Sequence, residues 1–166
     1  MRKRILGTIL AAALVVTSAV SVFAAGSRTT QVTLVGESAA SYQVSEGTAE
    51  NFATAQEAAP KVVEKILQVN EGTLTLPTLV QQLKEIVANT TEGQTELNMT
   101  EEEVDALAQE VEGKSMVTQF FDLIPINGGV QTEDGKYIAT ISVPSLTEAM
   151  TNVKILHFST EILVWE

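Results

Sequence analysis

Cysteine is absent from the 166-residue chain, and histidine occurs only once. Without cysteine the chain has no disulfide framework, so apolar burial alone has to stabilise the fold. Zinc sites generally need three or four His, Cys or carboxylate ligands, and the chain offers no second His and no Cys. We therefore predict that the protein has no metal site and no cofactor.

Basic residues are scarce as well, and three of the ten lie within the first four positions. An apolar run from Ile5 to about Val16 follows them, and then small residues up to Ala25. This order is typical of a secretory signal peptide. We expect residues 1–25 to be removed on export, and to form a lone helix with few contacts wherever they are retained. The processed chain is then predicted to be secreted or associated with the cell surface, with no membrane attachment after cleavage.

Removal of residues 1–25 takes away three of the ten basic residues and none of the 21 acidic ones, which leaves a formal net charge of −14. Phosphate binding needs clustered Lys and Arg, so this charge argues against nucleic acid as a partner. The partner classes that fit an exported acidic chain are a protein or a glycan outside the cell.

The processed chain divides into three regions by composition and periodicity. Residues 26–48 are rich in Ser, Thr, Gly and Ala, and are expected to form a flexible or short-strand lead-in. Residues 49–113 carry apolar positions at helical spacing, which predicts three or four short helices that each bury one face. The stripes are Val62, Val63, Ile66 and Leu67; Leu79, Val80, Leu83, Ile86 and Val87; and Val104, Leu107, Ala108 and Val111.

Residues 114–166 change to alternation and to β-rich composition, which predicts an antiparallel sheet. The expected strands are "SMVTQFFDLIPI", "GKYIATISV", "NVKILHF" and "ILVW", with turns at Asn127–Gly129 and at Asp134–Gly135. Helices followed by an antiparallel sheet define an α+β fold. We expect the sheet to be sandwich-like and incomplete at its C-terminal edge.

Three segments carry a resemblance to a known group of proteins. They are "FFDLIPINGGV", "DGKYIATISVPSLT" and "HFSTEILVWE". The chain resembles, over roughly residues 62–166, a group of uncharacterised exported proteins of Gram-positive, clostridia-type bacteria. The resemblance implies export and the α+β fold. It also implies one or two further strands after the Trp-Glu pair, and it supplies no catalytic residue.

The final residues of the sequence read as the middle of a strand. Ile162 and Val164 alternate with Leu163 and Trp165, and no Pro or Lys protects the edge that they would form. A further strand encoded downstream would cover this edge. The alternative is a partner strand added in trans, or self-association, at Ile162, Leu163, Val164 and Trp165.

Few side chains suggest chemistry. His157 is predicted to be a packed or partly exposed sheet residue, and no nucleophile motif accompanies it. Tyr137, Phe158 and Trp165 lie on neighbouring predicted strands and form a candidate binding surface, although core packing is the competing interpretation. We predict no catalytic residue and a non-catalytic exported or cell-surface interaction module. The alternatives are an extracellular glycan-active enzyme or its accessory domain, and a fragment of a larger surface protein.

Overall fold

The computed structural model describes residues 9–17, 32–89, 96–133 and 136–159. These residues form an α+β fold in which five helices accompany small antiparallel sheets. The helices are α1 (Ser38–Ser41), α2 (Ala53–Ala58), α3 (Pro60–Asn70), α4 (Leu76–Ala88) and α5 (Glu101–Val111). The strands are β1 (Ile9–Thr17), β2 (Thr33–Leu34), β3 (Tyr42–Glu46), β4 (Ser115–Met116), β5 (Phe121–Pro125), β6 (Ile141–Ser142) and β7 (Met150–Ser159).

The helices begin and end where the sequence signals lie. A proline occupies the first turn of both α3 and α4, where its missing N–H leaves no hydrogen bond unmade. Thr100 and Glu103 form a reciprocal capping box at the start of α5. Gly72 follows α3 and Gly113 follows α5, both with a positive φ that suits glycine after a helix. The apolar stripes predicted from the sequence therefore lie on helices of the structure.

The three longer helices form the main apolar core with parts of the sheet. Val62, Leu79, Leu83 and Val104 are buried in it. Phe120, Leu156 and Phe158 reach the same cluster from the β region. Burial of large apolar side chains is the dominant favourable contribution to folding, so this cluster is the main stabilising element of a chain without disulfides.

The larger sheet is built around β1. This strand pairs antiparallel with β7 along most of its length, and with β5 and β4 in turn. Because a strand has two edges, β5 and β4 share the edge opposite β7. β3 then pairs antiparallel with β5. The expectation that this N-terminal segment forms a lone helix with few contacts is therefore wrong, because Ile9–Thr17 is a central strand of the sheet.

A physical ambiguity explains that correction. A strand that has neighbours on both edges and is covered on both faces carries a continuous apolar run, and so does the middle of a signal peptide. Periodicity does not separate the two at this length. The structure assigns Ile9–Thr17 of this run to a strand.

The lead-in contributes two short strands, one of the two expected outcomes for it. β2 pairs with β6 in a separate two-stranded sheet, whereas β3 joins the larger one. A second apolar cluster draws residues from both sheets and from the loops beside them, and it includes Val32, Tyr42, Phe121, Leu123 and Val143. Within the described part of residues 49–113 there are four helices, α2 to α5, as the sequence predicted. The short helix α1 in the lead-in was not predicted, because its four residues carry no apolar stripe.

Two predicted strands are shorter than expected because side chains form hydrogen bonds with their backbone N–H and C=O groups. Asn70 accepts from the N–H of Phe120 at 2.7 Å and donates to the carbonyl oxygen of Phe120 at 2.9 Å, which separates β4 from β5. Similarly, the hydroxyl of Ser38 accepts from the N–H of Thr140 at 2.8 Å, beside the start of β6. A backbone group that is hydrogen-bonded to a side chain is not available to pair with a neighbouring strand.

Two sequence predictions fall partly or wholly outside the described residues. The strand predicted over Ile162–Trp165 lies outside them, and so do the turn residues Asp134 and Gly135. The hairpin flanking that turn is present, because Gln131 and Tyr137 form a β-bridge and the N–H of Thr132 donates to the carbonyl of Lys136. Within the described ranges, no helix has the length and apolar character needed to cross a membrane.

Candidate functional site

The three aromatic residues of the candidate binding surface do not share one environment. Phe158 is fully buried in the helical core. Tyr137 is 44% exposed on the hairpin that follows β5. Trp165 lies outside the described residues. Phe158 therefore cannot belong to an exposed platform, and Tyr137 is the one described member that a ligand can reach.

Tyr137 is held against the sheet by its neighbours. Its ring lies over Gly129, where an added Cβ would be only 3.0 Å from the ring carbons. Gly129 has a φ of 65°, a backbone conformation that glycine adopts without strain. The hydroxyl of Tyr42 donates to the carbonyl oxygen of Val130 at 3.0 Å and accepts from its N–H at 3.2 Å, which fixes the backbone next to Gly129. Tyr137 thus sits on a rigid support.

One face of β7 is apolar and open to solvent. Val153 is 44% exposed and Ile155 is 51% exposed, and both point to the same side because successive strand residues alternate. His157, which is half-buried, follows them on that side. We call Val153, Ile155 and His157 the β7 face. The predicted sheet position of His157 is confirmed, and the exposure of its two apolar neighbours was not foreseen.

β7 also borders a cavity of about 210 Å³, and Ile155 of the β7 face is among the residues that line it. Its lining combines the end of α5 with the middle of β7: Leu107, Glu110, Val111, Lys114, Lys154, Ile155 and Leu156. Lys154 donates to the carboxylate of Glu110 at 2.8 Å, and this hydrogen bond together with the positive charge lowers the pKa of Glu110. Glycoside hydrolysis uses two carboxyl groups that face each other. This lining contains a single carboxylate, and that carboxylate is bound to a lysine.

Asp122 is the described carboxyl group with the most perturbed environment. It lies on β5 opposite Ser45 of β3, only 1% exposed, and its Oδ1 atom has no hydrogen-bond partner in the structure. Burial raises the pKa of Asp122 to about 7, against the opposing effect of a hydrogen bond from the backbone of Leu123. Perturbed carboxyl groups are common at functional sites and also occur in ordinary cores. Alternation alone could not single out Asp122, because β5 is buried on both faces.

Among the residues that the structure describes, no group of three or more His, Cys, Asp or Glu side chains is placed to hold a metal ion. The described ion pairs involve mostly exposed partners, such as Lys84 with Asp105 at 2.7 Å between α4 and α5. Ion pairs of that kind contribute little to stability.

Comparison with protein-family models, with curated proteins and with solved structures gives no match for this chain.

Proposed function

We propose that the chain is an exported, non-catalytic interaction module that binds a protein partner outside the cell through the β7 face. The observation that most directly supports this proposal is that Val153 and Ile155 are both exposed on the same face of β7. Apolar surface at a protein contact is removed from water when the partner binds, which favours association. The two side chains are β-branched, so they lose little rotamer freedom on binding.

The charge of the chain supports the same proposal. After removal of residues 1–25 the formal net charge is −14, and a chain of that charge repels acidic surfaces. The β7 face itself carries no carboxylate, so a protein partner meets apolar side chains first. We also propose that the two sheets form a sandwich-like unit, and the apolar cluster that draws residues from both sheets supports this.

The test compares two surface variants in a binding assay. Secreted protein is incubated with cells of the source organism and the bound fraction is measured after sedimentation. Val153→Ser combined with Ile155→Ser should weaken binding about tenfold or more, since each truncated contact residue costs on the order of 1 kcal/mol. Ile138→Ser is the matched control, because Ile138 is also an exposed β-branched residue and lies on a different element. Equal binding by both variants, with folding retained in both, would reject the β7 face.

Glycan binding at Tyr137 is a second candidate, favoured by the exposure of its ring on a rigid support. Aromatic rings offer a large apolar face to a sugar at a small cost in conformational entropy. Tyr137→Ala should then abolish retention of the protein on the glycan fraction of the cell wall, whereas the double variant in the β7 face should leave that retention intact. The reverse pattern supports the protein-binding proposal.

A further inference from the structure

The cavity between the end of α5 and the middle of β7, which we call the α5–β7 cavity, has an apolar interior. Leu107 and Val111 of α5 and Leu156 of β7 line it, and all three side chains are buried. The same three residues are members of the main apolar cluster. The α5–β7 cavity is therefore an apolar recess in the main core.

The volume of the α5–β7 cavity suits one large side chain. Pockets for drug-sized ligands and cofactors measure about 300–1,000 Å³, whereas this cavity measures about 210 Å³. An apolar cavity of about 150 Å³ is large enough to bind benzene. The space therefore accepts a phenylalanine ring or a leucine side chain, and it is too small for a nucleotide.

The exposed part of the lining is charged. Lys154 donates to the carboxylate of Glu110 at 2.8 Å, and both side chains are at least half exposed. The ammonium group of Lys114 donates to the main-chain carbonyl oxygen of Glu110. An ammonium group has three donors, so both lysines keep donors for a ligand.

The local charge of this lining is opposite in sign to that of the whole chain. Seven basic and 21 acidic residues remain after removal of residues 1–25, and two of the seven line the α5–β7 cavity together with a single acid. The dipole of α5 favours a lysine at its C-terminal end, which gives Lys114 a structural role as well. Its remaining donors attract a carboxylate, and that carboxylate would lie beside an apolar recess.

Ile155 connects the cavity with the β7 face. It is 51% exposed on that face, and it also lines the α5–β7 cavity. A partner that covers Val153 and Ile155 therefore reaches the cavity within the same contact.

We propose that the α5–β7 cavity receives one large apolar side chain of the protein partner, and that a carboxylate next to that side chain binds Lys114. The inference rests on the proposed function, and it adds the chemistry that the partner must carry. A partner segment with Phe or Leu beside Asp or Glu meets both requirements.

The compound 3-phenylpropanoate tests the cavity before the partner is known, because it joins a ring of suitable size to a carboxylate. It is titrated into the 166-residue chain while the backbone amide signals are followed by NMR, and the uncharged 3-phenylpropanol is the control. The acid should bind about fivefold more tightly than the alcohol, because a charge-assisted hydrogen bond to an ammonium group favours the carboxylate. The largest shifts should occur at the end of α5 and the middle of β7. Equal affinities, or no binding of either compound, would overturn the inference.

Charge variants test the role of Lys114. Lys114→Gln should weaken binding of the acid about fivefold and leave binding of the alcohol unchanged. Lys84→Gln is the matched control, because it changes the net charge equally and Lys84 pairs with Asp105 between α4 and α5. Glu110→Gln should tighten binding of the acid about threefold, since it removes a competing carboxylate from Lys154. Equal effects of Lys114→Gln and Lys84→Gln would contradict the role of Lys114.

A larger side chain in the lining tests the occupant. Leu107→Phe fills part of the cavity, so it should weaken binding of both compounds, and of the secreted protein to cells, about tenfold. Leu83→Phe is the control for packing, because Leu83 is fully buried and does not line the cavity. It should lower the midpoint of urea denaturation, whereas Leu107→Phe should retain the midpoint. If Leu107→Phe lowers the midpoint as much, Lys114→Gln provides the measurement of binding to cells.

The assay of binding to cells separates failure of this inference from failure of the proposed function. Weaker binding by the double variant in the β7 face, with unchanged binding by Leu107→Phe and Lys114→Gln, would overturn the inference alone. Unchanged binding by the double variant would reject the β7 face itself. Binding of 3-phenylpropanoate without any effect of Leu107→Phe on binding to cells would assign the cavity to a small organic acid, which also overturns the inference.

Discussion

Asn70 holds the helical core to the sheet through one buried amide. Its Nδ2 group donates to the carbonyl oxygens of Gly47 and Phe120, and its Oδ1 atom accepts from the N–H of Phe120. A Cβ at Gly47 would collide with the carbonyl oxygen of Phe120, so only glycine allows this approach. Both polar atoms of the Asn70 side chain are therefore hydrogen-bonded to residues that are distant in the sequence.

Asn70→Ala should lower the free energy of unfolding by about 3 kcal/mol or more, because buried backbone groups of Phe120 and Gly47 lose their partner. Asn51→Ala is the control. Its amide makes a hydrogen bond of 2.8 Å to the carbonyl of Glu46 in an exposed setting, and its loss should cost about 1 kcal/mol or less. Denaturant titration measures both, and similar losses would show that the Asn70 contacts are not structural.

Asp122 should make stability depend on pH. Its pKa is raised to about 7 in the folded chain, whereas an unfolded Asp titrates near 3.9. The folded state therefore holds the proton more tightly, and the free energy of unfolding should fall as pH rises from about 4 to about 7. Asp122→Asn removes this titration. Between pH 4 and pH 8 the free energy of unfolding of the variant, relative to that of the original chain, should rise by up to about 4 kcal/mol. A difference in free energy of unfolding that is independent of pH would contradict the burial of Asp122.

The helices were the elements most open to prediction, because their signals are local. Thr100 and Glu103 lie within one turn of α5, and Leu79 and Leu83 within one turn of α4. The breaks in the strands depend on distant residues instead: Asn70 interrupts the β4–β5 segment from α3, and Ser38 takes the N–H of Thr140. The sequence of a strand by itself does not predict that a side chain distant in the sequence will form hydrogen bonds with its backbone.

The α4 stripe should behave as core in a stability measurement. Leu83 is fully buried, so Leu83→Ala should lower the free energy of unfolding by about 2–5 kcal/mol through lost burial and the cavity that it leaves. Ile138→Ala removes a side chain of similar size from a position that is 46% exposed, and it should cost less than about 1 kcal/mol. A loss below about 0.5 kcal/mol for Leu83→Ala would mean that the stripe is not core.

The candidate sites were less predictable than the helices. Alternation places Val153, Ile155 and His157 on one face of β7, and only the packed structure shows that Val153 and Ile155 are exposed there while Phe158 is buried. Asp122 gave no sequence signal, because its neighbours on β5 are apolar and it is buried with them. Which face of a strand is covered depends on how the elements pack, and that information is spread over the whole chain.

At the scale of the whole molecule, β1 connects the fold with the proposed export. The same residues have the order of a signal peptide and form the central strand of the larger sheet. If they are cleaved, the exported chain lacks β1; if they are kept, the chain is not processed as proposed. The N-terminus of the mature protein therefore bears both on its location and on the composition of the larger sheet.

The most direct test is the N-terminal sequence, with the intact mass, of the protein recovered outside cells of the source organism. We predict a chain that begins near Ala25 or Gly26, because the basic start, the apolar run and the small residues are removed together. A recovered chain that begins at Met1, with β1 intact, would contradict the proposed export.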